Sequence, residues 1–135
     1  GVRTLHGLHT HGFPNLFVES IAQSGFTVNF PYLLDVQATH VAWIINWALT
    51  HDVSELEATA TAEQTWVDIV TSRSTGTADR ARSCTPGYYN REGQADATTR
   101  QGSFFYGGPT EYETILTTWR SDGRLDGLEI RGPET

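Results

Sequence analysis

The sequence contains no methionine, no lysine and only one cysteine among its 135 residues. Cys84 alone cannot form a disulfide within the chain, which excludes the disulfide-framed class of small secreted domains and agrees with a reducing compartment. We therefore expect a cytoplasmic protein. Because the first residue is Gly1 and no methionine follows it, we also expect the chain to be a piece of a longer protein.

Positive charge is scarce. The formal net charge is -7 at pH 7, from nine basic and 16 acidic residues. Nucleic acids and anionic membranes are bound by clustered lysine and arginine, so neither is expected as a partner. No apolar run approaches the roughly 20 residues of a membrane-spanning helix, and the N-terminus lacks the pattern of a signal peptide.

Short catalytic motifs are missing as well. The chain has no GxGxxG, GxxxxGK or HExxH motif and no nucleophile elbow. The stretch HGLHTHGFPNLF carries His6, His9 and His11, and in an extended segment His9 and His11 would share a face as two metal ligands do. His40 and His51 stand apart as possible further ligands. We expect a loop that leads into a buried strand and no metal site, with a metal-dependent hydrolase as a minor hypothesis.

What is present is the pattern of an α+β domain. A turn at residues 12–15 precedes Leu16–Val18, which predicts a short strand of a parallel sheet covered on both faces. Asn29 followed by Pro31 predicts the start of a long helix, because asparagine caps helices well and proline suits their first turn. Apolar residues at helical spacing continue this helix to His51.

A second helix is predicted from Glu55 to Ser72. Ser54 and Glu57 have the form of a capping box, and three apolar residues at helical spacing form its inner stripe: Trp66, Ile69 and Val70. Residues 73–103 contain few aliphatic side chains and read as a long irregular segment, which in a compact domain is usually functional or mobile.

The end of the chain alternates strand and helix signals. Phe104–Tyr106 predicts a strand, and Thr110 with Glu113 predicts a capping box that opens a helix. The buried stripe of this helix would be Tyr112, Ile115, Leu116 and Trp119. Gly123 is a suitable stop, and Leu128–Ile130 predicts a closing strand.

Five motifs in order resemble the C-terminal part of Baeyer-Villiger monooxygenases, the class B flavoprotein monooxygenases. They are GFPNLF, HVAW, CTPGYYNREG, FYGGPTEY and an ending with Trp119, Gly123 and LDGLEI. The branch that accepts large, cyclic and steroid ketones is the most similar. The resemblance implies a C-terminal fragment of a flavoprotein with two Rossmann-like α/β domains for dinucleotides. Residues 1–51 would be the remnant of the FAD-binding domain, and residues 52–135 the C-terminal segment with a mobile NADP and substrate loop at 83–94.

The resemblance also implies a reaction. The intact enzyme would use FAD and NADPH to insert one oxygen atom from O2 into a ketone, giving an ester or a lactone. In the family the dinucleotide fingerprints and the catalytic arginine lie upstream, so we assign no catalytic residue here and expect the isolated chain to be inactive. Its partners would be the ketone, O2 and the remainder of the same polypeptide. Exposed strand edges would favour self-association of the fragment.

Site residues follow from the same resemblance. The turn from Gln23 to Asn29 would pass beside the flavin, where backbone N–H groups stabilise negative charge. The expected cofactor-binding residues are Gln23, Ser24, Thr27, Val28, Asn29, Tyr88 and Asn90, the last two in the loop over NADP. Phe26, Phe30 and Tyr89 are expected to contact the ketone. The alternative is a self-contained small-molecule-binding α+β domain without catalysis, with a pocket of tyrosines and phenylalanines.

Overall fold

The computed structural model describes residues 1–74, 83–87, 92–94 and 96–133. Their order is α1 (Phe30–Thr50), β1 (Glu55–Ala58), α2 (Ala60–Arg73), a 3-10 helix (Ala97–Gly102), α3 (Gly108–Asp122) and β2 (Leu128–Arg131). The described elements are helices and a short antiparallel sheet, so the predicted α+β class is confirmed.

The long helix α1 forms where the sequence predicts it. The side chain of Asn29 accepts a hydrogen bond from the backbone N–H of Tyr32 at 3.3 Å, which satisfies one of the free donors of the first turn. Pro31 lies in that first turn, and His51 caps the C-terminal end. One face of α1 is buried against the rest of the chain, with Leu33, Val36, Gln37, His40 and Ile44.

The predicted helix start at Glu55 is wrong, because Glu55–Ala58 is the strand β1. It pairs with β2 in antiparallel register, Glu55 opposite Arg131. The Glu57 carboxylate accepts from Gly12 N–H at 2.8 Å and from Arg131 at 2.5 Å, and does not cap Ser54. The helix α2 begins after Thr59, and its buried residues Trp66 and Val70 confirm the predicted inner stripe.

Two other predicted strands are reduced to single bridges. Phe17 pairs with His9 in one isolated antiparallel bridge, and Phe105 pairs with Gly25 in one isolated parallel bridge. The side chain of Leu16 is 48% exposed, so the prediction of a strand covered on both faces is wrong. The closing strand is confirmed and includes one further residue, Arg131.

The helix α3 begins three residues earlier than the Thr110 capping box predicts. Its N-cap is Gly107, which has no side chain to accept a bond, and Glu113 instead accepts a hydrogen bond from Tyr32 Oη. The end is as predicted, with Gly123 in the left-handed region at φ 69°. The inner stripe is confirmed by its two fully buried members, Tyr112 and Leu116.

The hydrophobic core joins both parts of the chain. Its main cluster combines residues of the N-terminal segment, β1, the three α-helices and the loop before α3: Leu5, Leu8, Leu33, Val36, Ala58, Trp66, Val70, Phe105, Tyr112 and Leu116. Residues of both predicted parts of the chain, 1–51 and 52–135, pack together in this cluster. The division of the chain into these two parts stays a prediction. None of the helices in the described ranges combines the length and the hydropathy that a membrane span requires.

Candidate functional site

The turn that precedes α1 starts from a residue in an unusual backbone conformation. Gln23 has φ 59°, in the left-handed region that most side chains avoid. Its backbone N–H donates to Ser103 O at 2.8 Å, and its carbonyl accepts from Trp66 Nε1 at 3.0 Å. A Cβ on Gly7 would lie 2.9 Å from the same carbonyl oxygen, so the absence of a side chain there permits the close approach. These contacts hold the conformation in place.

The side chain of Gln23 is fully buried and satisfied by the chain itself. Its Oε1 accepts from Thr4 Oγ1 at 2.5 Å, and its Nε2 donates to the carbonyls of Val2 at 2.9 Å and Gln101 at 2.8 Å. Gln23 therefore connects the N-terminal segment and the 3-10 helix to the turn. It supports the turn from inside and presents no side-chain atom to a ligand.

The next two residues close the inner half of the turn against α3. Ser24 is fully buried, and its hydroxyl donates to Ser20 O at 2.6 Å. A Cβ on Gly25 would lie 2.6 Å from the Cβ of Tyr112 and 3.0 Å from the Cα of Pro109. Only glycine fits this contact without a backbone shift, so the position of the turn is tied to that of α3.

The outer half of the turn faces outward and is apolar. Phe26 is 44% exposed, Phe30 43% and Val28 98%. Phe26 stacks on Phe104 with ring centroids 4.3 Å apart. These side chains border an open depression of about 620 Å³ lined by Glu19, Ser20, Ile21, Phe26, Thr27, Val28 and Phe30. Exposed aromatic and aliphatic side chains beside a concave surface are typical of a ligand or partner contact.

The backbone of this outer half fits an anionic group. Within the described part of the chain, the N–H groups of Thr27, Val28 and Phe30 have no hydrogen-bond partner, whereas Asn29 N–H donates to Thr27 Oγ1 at 3.1 Å. They lie at the N-terminal end of α1, which has no acidic side chain in its first turn. Free donors and the positive end of the helix dipole together favour negative charge at this position.

A second group of polar residues is buried beneath α1. His9 Nε2 and His40 Nε2 are 3.2 Å apart, and Arg120 Nη1 is 3.1 Å from His40 Nδ1. The rings of His6, His9 and His40 all pack against Trp119. Because Arg120 can only donate, His40 Nδ1 is the acceptor in that bond, which leaves Nε2–H of His40 to donate to His9.

Burial keeps these three imidazoles neutral. Desolvation lowers the pKa of His6 to about 4. It also lowers the pKa of His9 to about 3, with a further contribution from the charge of His6. For His40 desolvation is again the main cause, the charges of His9, His6 and Arg120 add to it, and the pKa is about 2. The cluster therefore carries no imidazolium at neutral pH.

This cluster does not have the arrangement of a metal centre. In the part of the chain that the structure describes, no group of three or more His, Cys, Asp and Glu side chains could hold a metal ion. His9 and His11 do not share a ligand face, because His11 Nδ1 lies 3.0 Å from Ala58 O whereas His9 faces His40. Both ring nitrogens of His40 are instead engaged by His9 and Arg120.

The sequence did not predict the contact between His9 and His40 or the hydrogen bond from Arg120 to His40. The available signal was the position of His40 in the buried stripe of α1, where a polar side chain needs a partner. Three expected site residues, Tyr88, Tyr89 and Asn90, lie outside the described residues.

No protein-family model matches the sequence. Neopentalenolactone D synthase of Streptomyces avermitilis is 40% identical over 131 residues, which are 97% of this chain and 22% of that protein. The FAD-binding monooxygenase hmp7 of Hypomyces subiculosus is 38% identical over 129 residues, 96% of this chain and 21% of the relative. Baeyer-Villiger monooxygenase ATR8 of Stachybotrys chlorohalonatus is 37% identical over 131 residues, which are 96% of this chain and 21% of that protein. Over nearly its whole length the chain is homologous to Baeyer-Villiger and other FAD-binding monooxygenases.

Solved structures agree with this assignment. The polycyclic ketone monooxygenase of Thermothelomyces thermophila superimposes with a TM-score of 0.80 and 32% identity, over 98% of this chain and 21% of that one. A steroid monooxygenase bound to NADP superimposes with a TM-score of 0.73 over 98% of this chain and 23% of that one. At 22% identity, this match supports the fold and not the function. The chain thus spans about a fifth of the length of the relatives it matches. The resemblance to the C-terminal part of these Baeyer-Villiger monooxygenases, inferred from five motifs, is confirmed.

Proposed function

We propose that this chain is part of an enzyme that uses FAD and NADPH to insert one atom of O2 into a ketone, giving an ester or a lactone. The observation that carries the proposal is the match to Baeyer-Villiger monooxygenases over nearly the whole chain, at 40% identity to neopentalenolactone D synthase. The description of hmp7 as FAD-binding and the steroid monooxygenase bound to NADP support the two cofactors. The presence of only one cysteine in the sequence, Cys84, supports the cytoplasm as its compartment.

The turn before α1 would contact the flavin. FAD, when bound, supplies the oxygen-activating chemistry of the intact enzyme. The N–H groups of Thr27, Val28 and Phe30 would donate to its anionic edge, an assignment supported by their lack of partners in the described part of the chain. The side chain of Asn29 caps α1 and so holds the helix end toward the cofactor.

Gln23 and Ser24 would act on the cofactor only through the turn. Both side chains are fully buried and bonded within the chain, which leaves them no direct contact to make. Their proposed role is to fix the position of the exposed N–H groups.

The ketone would contact the aromatic side of the depression. Phe26 and Phe30 are each about half exposed there, and the stacking of Phe26 on Phe104 gives it a fixed orientation. The depression is open, with a volume of about 620 Å³, which is enough for a ketone larger than a single ring. From the sequence alone we propose that Tyr88 and Asn90 contact NADP and that Tyr89 contacts the ketone.

The test uses the protein expressed from the complete reading frame that contains this chain. With NADPH, 18O2 and a fused-ring ketone, we expect ketone-dependent oxidation of NADPH and one labelled oxygen in the ester or lactone. The isolated chain serves as the control and should give no product. Oxidation of NADPH with no labelled product from any ketone tried, cyclohexanone and a steroid ketone included, would overturn the proposed reaction.

A further inference from the structure

The first turn of α1 is bonded to α3 through one pair of side chains. The hydroxyl of Tyr32 donates a hydrogen bond to the carboxylate of Glu113, and both residues are partly buried. This hydrogen bond is the largest cause that raises the pKa of Tyr32 above its ordinary value, and desolvation and the charge of Glu113 add to it. The phenol is therefore protonated at neutral pH and acts as the donor.

A second contact holds the other end of the turn on the same part of α3. A Cβ on Gly25 would lie 2.6 Å from the Cβ of Tyr112, so the backbone there is packed directly on the helix. Tyr112 and Glu113 are neighbours in the sequence of α3. We call the contact of Gly25 with Tyr112 and the bond of Tyr32 to Glu113 the two anchors. Residues 26–31 span the distance between them on one rigid element.

The unpartnered backbone donors of the candidate site all lie within this span. The N–H groups of Thr27, Val28 and Phe30 have no hydrogen-bond partner in the described ranges. The side chain of Val28 is 98% exposed and that of Phe30 is 43% exposed, so neither is packed firmly enough to hold the backbone. The directions of these N–H groups therefore depend on the two ends of the span.

The other contacts between α1 and α3 are too far along the helices to replace the second anchor. Arg120 bonds to His40 Nδ1 at 3.1 Å, and His40 lies about 12 Å along the helix axis from Tyr32. Val36 and Leu116 pack in the core between these two polar contacts. Such contacts fix the body of α1, whereas the first turn of a helix opens easily unless a cap or a tertiary contact holds it.

We propose that Tyr32 and Glu113 are positioning residues, whose hydrogen bond fixes the N–H groups of the turn in the direction in which they bind the anionic edge of a flavin. This inference rests on the proposed function, because it takes the anionic group to be that of FAD. Donors that are held in place favour the negative charge of the reduced cofactor over the neutral oxidised form. The Tyr32 to Glu113 bond thereby raises the reduction potential of the bound flavin.

Four variants of the protein from the complete reading frame test this role. Tyr32→Phe removes the donor, and Glu113→Leu removes the acceptor. Glu113→Gln removes the charge but keeps an oxygen that accepts the bond. Thr114→Ala is the matched control, because it removes a hydroxyl of α3 that bonds to Thr110 O of the same helix at 2.9 Å. The midpoint potential of the bound flavin and the deuterium exchange of the first turn of α1 are measured for each variant.

The two variants that break the bond should differ from the other two in both measurements. Tyr32→Phe and Glu113→Leu should each lower the ratio of the affinities for reduced and oxidised FAD about tenfold, which lowers the midpoint potential by about 30 mV. The amides of Tyr32 and Leu33, which bond back to Asn29 O, should exchange about fivefold faster in these two variants. Glu113→Gln and Thr114→Ala should stay within about twofold of the parent protein.

Two results would overturn the positioning role. One is an affinity ratio within about twofold of the parent for both Tyr32→Phe and Glu113→Leu. The other is a shift for Glu113→Gln as large as that for Glu113→Leu, since the charge and not the bond would then be the cause. If Glu113→Leu does not fold, the same decision follows from Tyr32→Phe, which keeps the ring, compared with Glu113→Gln.

The flavin content of the parent protein separates this inference from the proposed function. A colourless protein in which Tyr32→Phe and Glu113→Leu alone exchange faster would refute the flavoenzyme and retain the bond as a support of the turn. A yellow, active protein in which all four variants have the potential and the exchange of the parent would retain the flavoenzyme and refute the positioning role.

Discussion

Lowering the pH from 8 to 5 should destabilise the folded chain, because three buried histidines remain neutral while the unfolded chain takes up protons. In the fold the pKa of His6 is about 4, that of His9 about 3 and that of His40 about 2. In the unfolded chain each returns to about 6.5. The stabilising contribution is therefore complete above pH 6.5, and it is lost as the pH falls from there toward the folded pKa values.

The size of the effect follows from the difference between the two states. Each histidine contributes about 1.4 kcal/mol per pH unit below 6.5, so three together give a slope of about 4 kcal/mol per unit. At pH 5 the loss reaches about 2 kcal/mol per histidine, or about 6 kcal/mol at most for the cluster. A domain is typically stable by only about 5–15 kcal/mol, so this loss is enough to bring the chain close to unfolding.

The assay is urea unfolding followed by tryptophan fluorescence at pH 8, 7, 6 and 5. Trp66 and Trp119 are suitable probes because the His6 ring packs edge-on against both indoles, with centroids 5.0 and 6.1 Å apart. The free energy of unfolding should be level down to about pH 6.5 and then fall. Protonation of carboxylates changes the free energy of unfolding mainly below about pH 5, because their unfolded pKa values are about 4.

Substitution of one histidine tests whether the loss of stability at low pH comes from the histidine cluster. His6 Nδ1 is buried and has no hydrogen-bond partner in the described part of the chain, so His6→Phe removes one titrating ring without breaking a bond. The variant should lose about a third less stability between pH 8 and pH 5. His51→Gln changes an exposed ring and is the control. A free energy that changes by less than about 1 kcal/mol over the whole range would refute the reasoning.

Three further predictions concern the turn. Gly25→Ala should destabilise the chain by about 1–3 kcal/mol, since the added Cβ would lie 2.6 Å from Tyr112 Cβ. Gly102→Ala, whose nearest atom would be 3.9 Å away, should cost less in the same urea titration. Gln23→Leu should cost about 2–4 kcal/mol, because it removes three hydrogen bonds of a fully buried side chain, and differential scanning calorimetry would measure the loss. In the complete protein, Phe26→Ala should raise KM for a fused-ring ketone several-fold more than KM for cyclohexanone, as read from initial rates of NADPH oxidation.

Each of these has a result that contradicts it. Equal losses for the two glycine variants would show that the contact with α3 does not limit the turn. A Gln23→Leu variant as stable as the parent chain would mean that the turn has other support. Unchanged KM values for both ketones would remove Phe26 from the substrate contact.

The sequence predicts those parts of the fold that depend on local chemistry. Asn29 and Pro31 fix the start of α1, and Gly123 fixes the end of α3, because each effect involves neighbours within one turn of helix. The segment Glu55–Ala58 was mispredicted as helix, since its state depends on β2, more than 70 residues later in the chain. Pairing with β2 outweighs the local helix propensity of this segment. The hydrogen bond from Arg131 to Glu57 further stabilises the strand conformation.

As with the fold, the sequence predicts only those parts of the candidate site that depend on local chemistry. The exposed apolar turn from Phe26 to Phe30 could be located from its motif, because it precedes a recognisable helix cap. The buried support could not be, since the bonds of Gln23 reach the N-terminal segment and the 3-10 helix, 78 residues away. The histidine cluster is also assembled by tertiary contacts, with His9 and His40 31 residues apart.

The visible absorbance spectrum of the protein expressed from the complete reading frame tests the central claim most directly. We predict flavin bands that remain after gel filtration and that bleach on addition of NADPH under anaerobic conditions. A longer reading frame that yields a folded, colourless protein, and that stays colourless after incubation with FAD, would contradict the account.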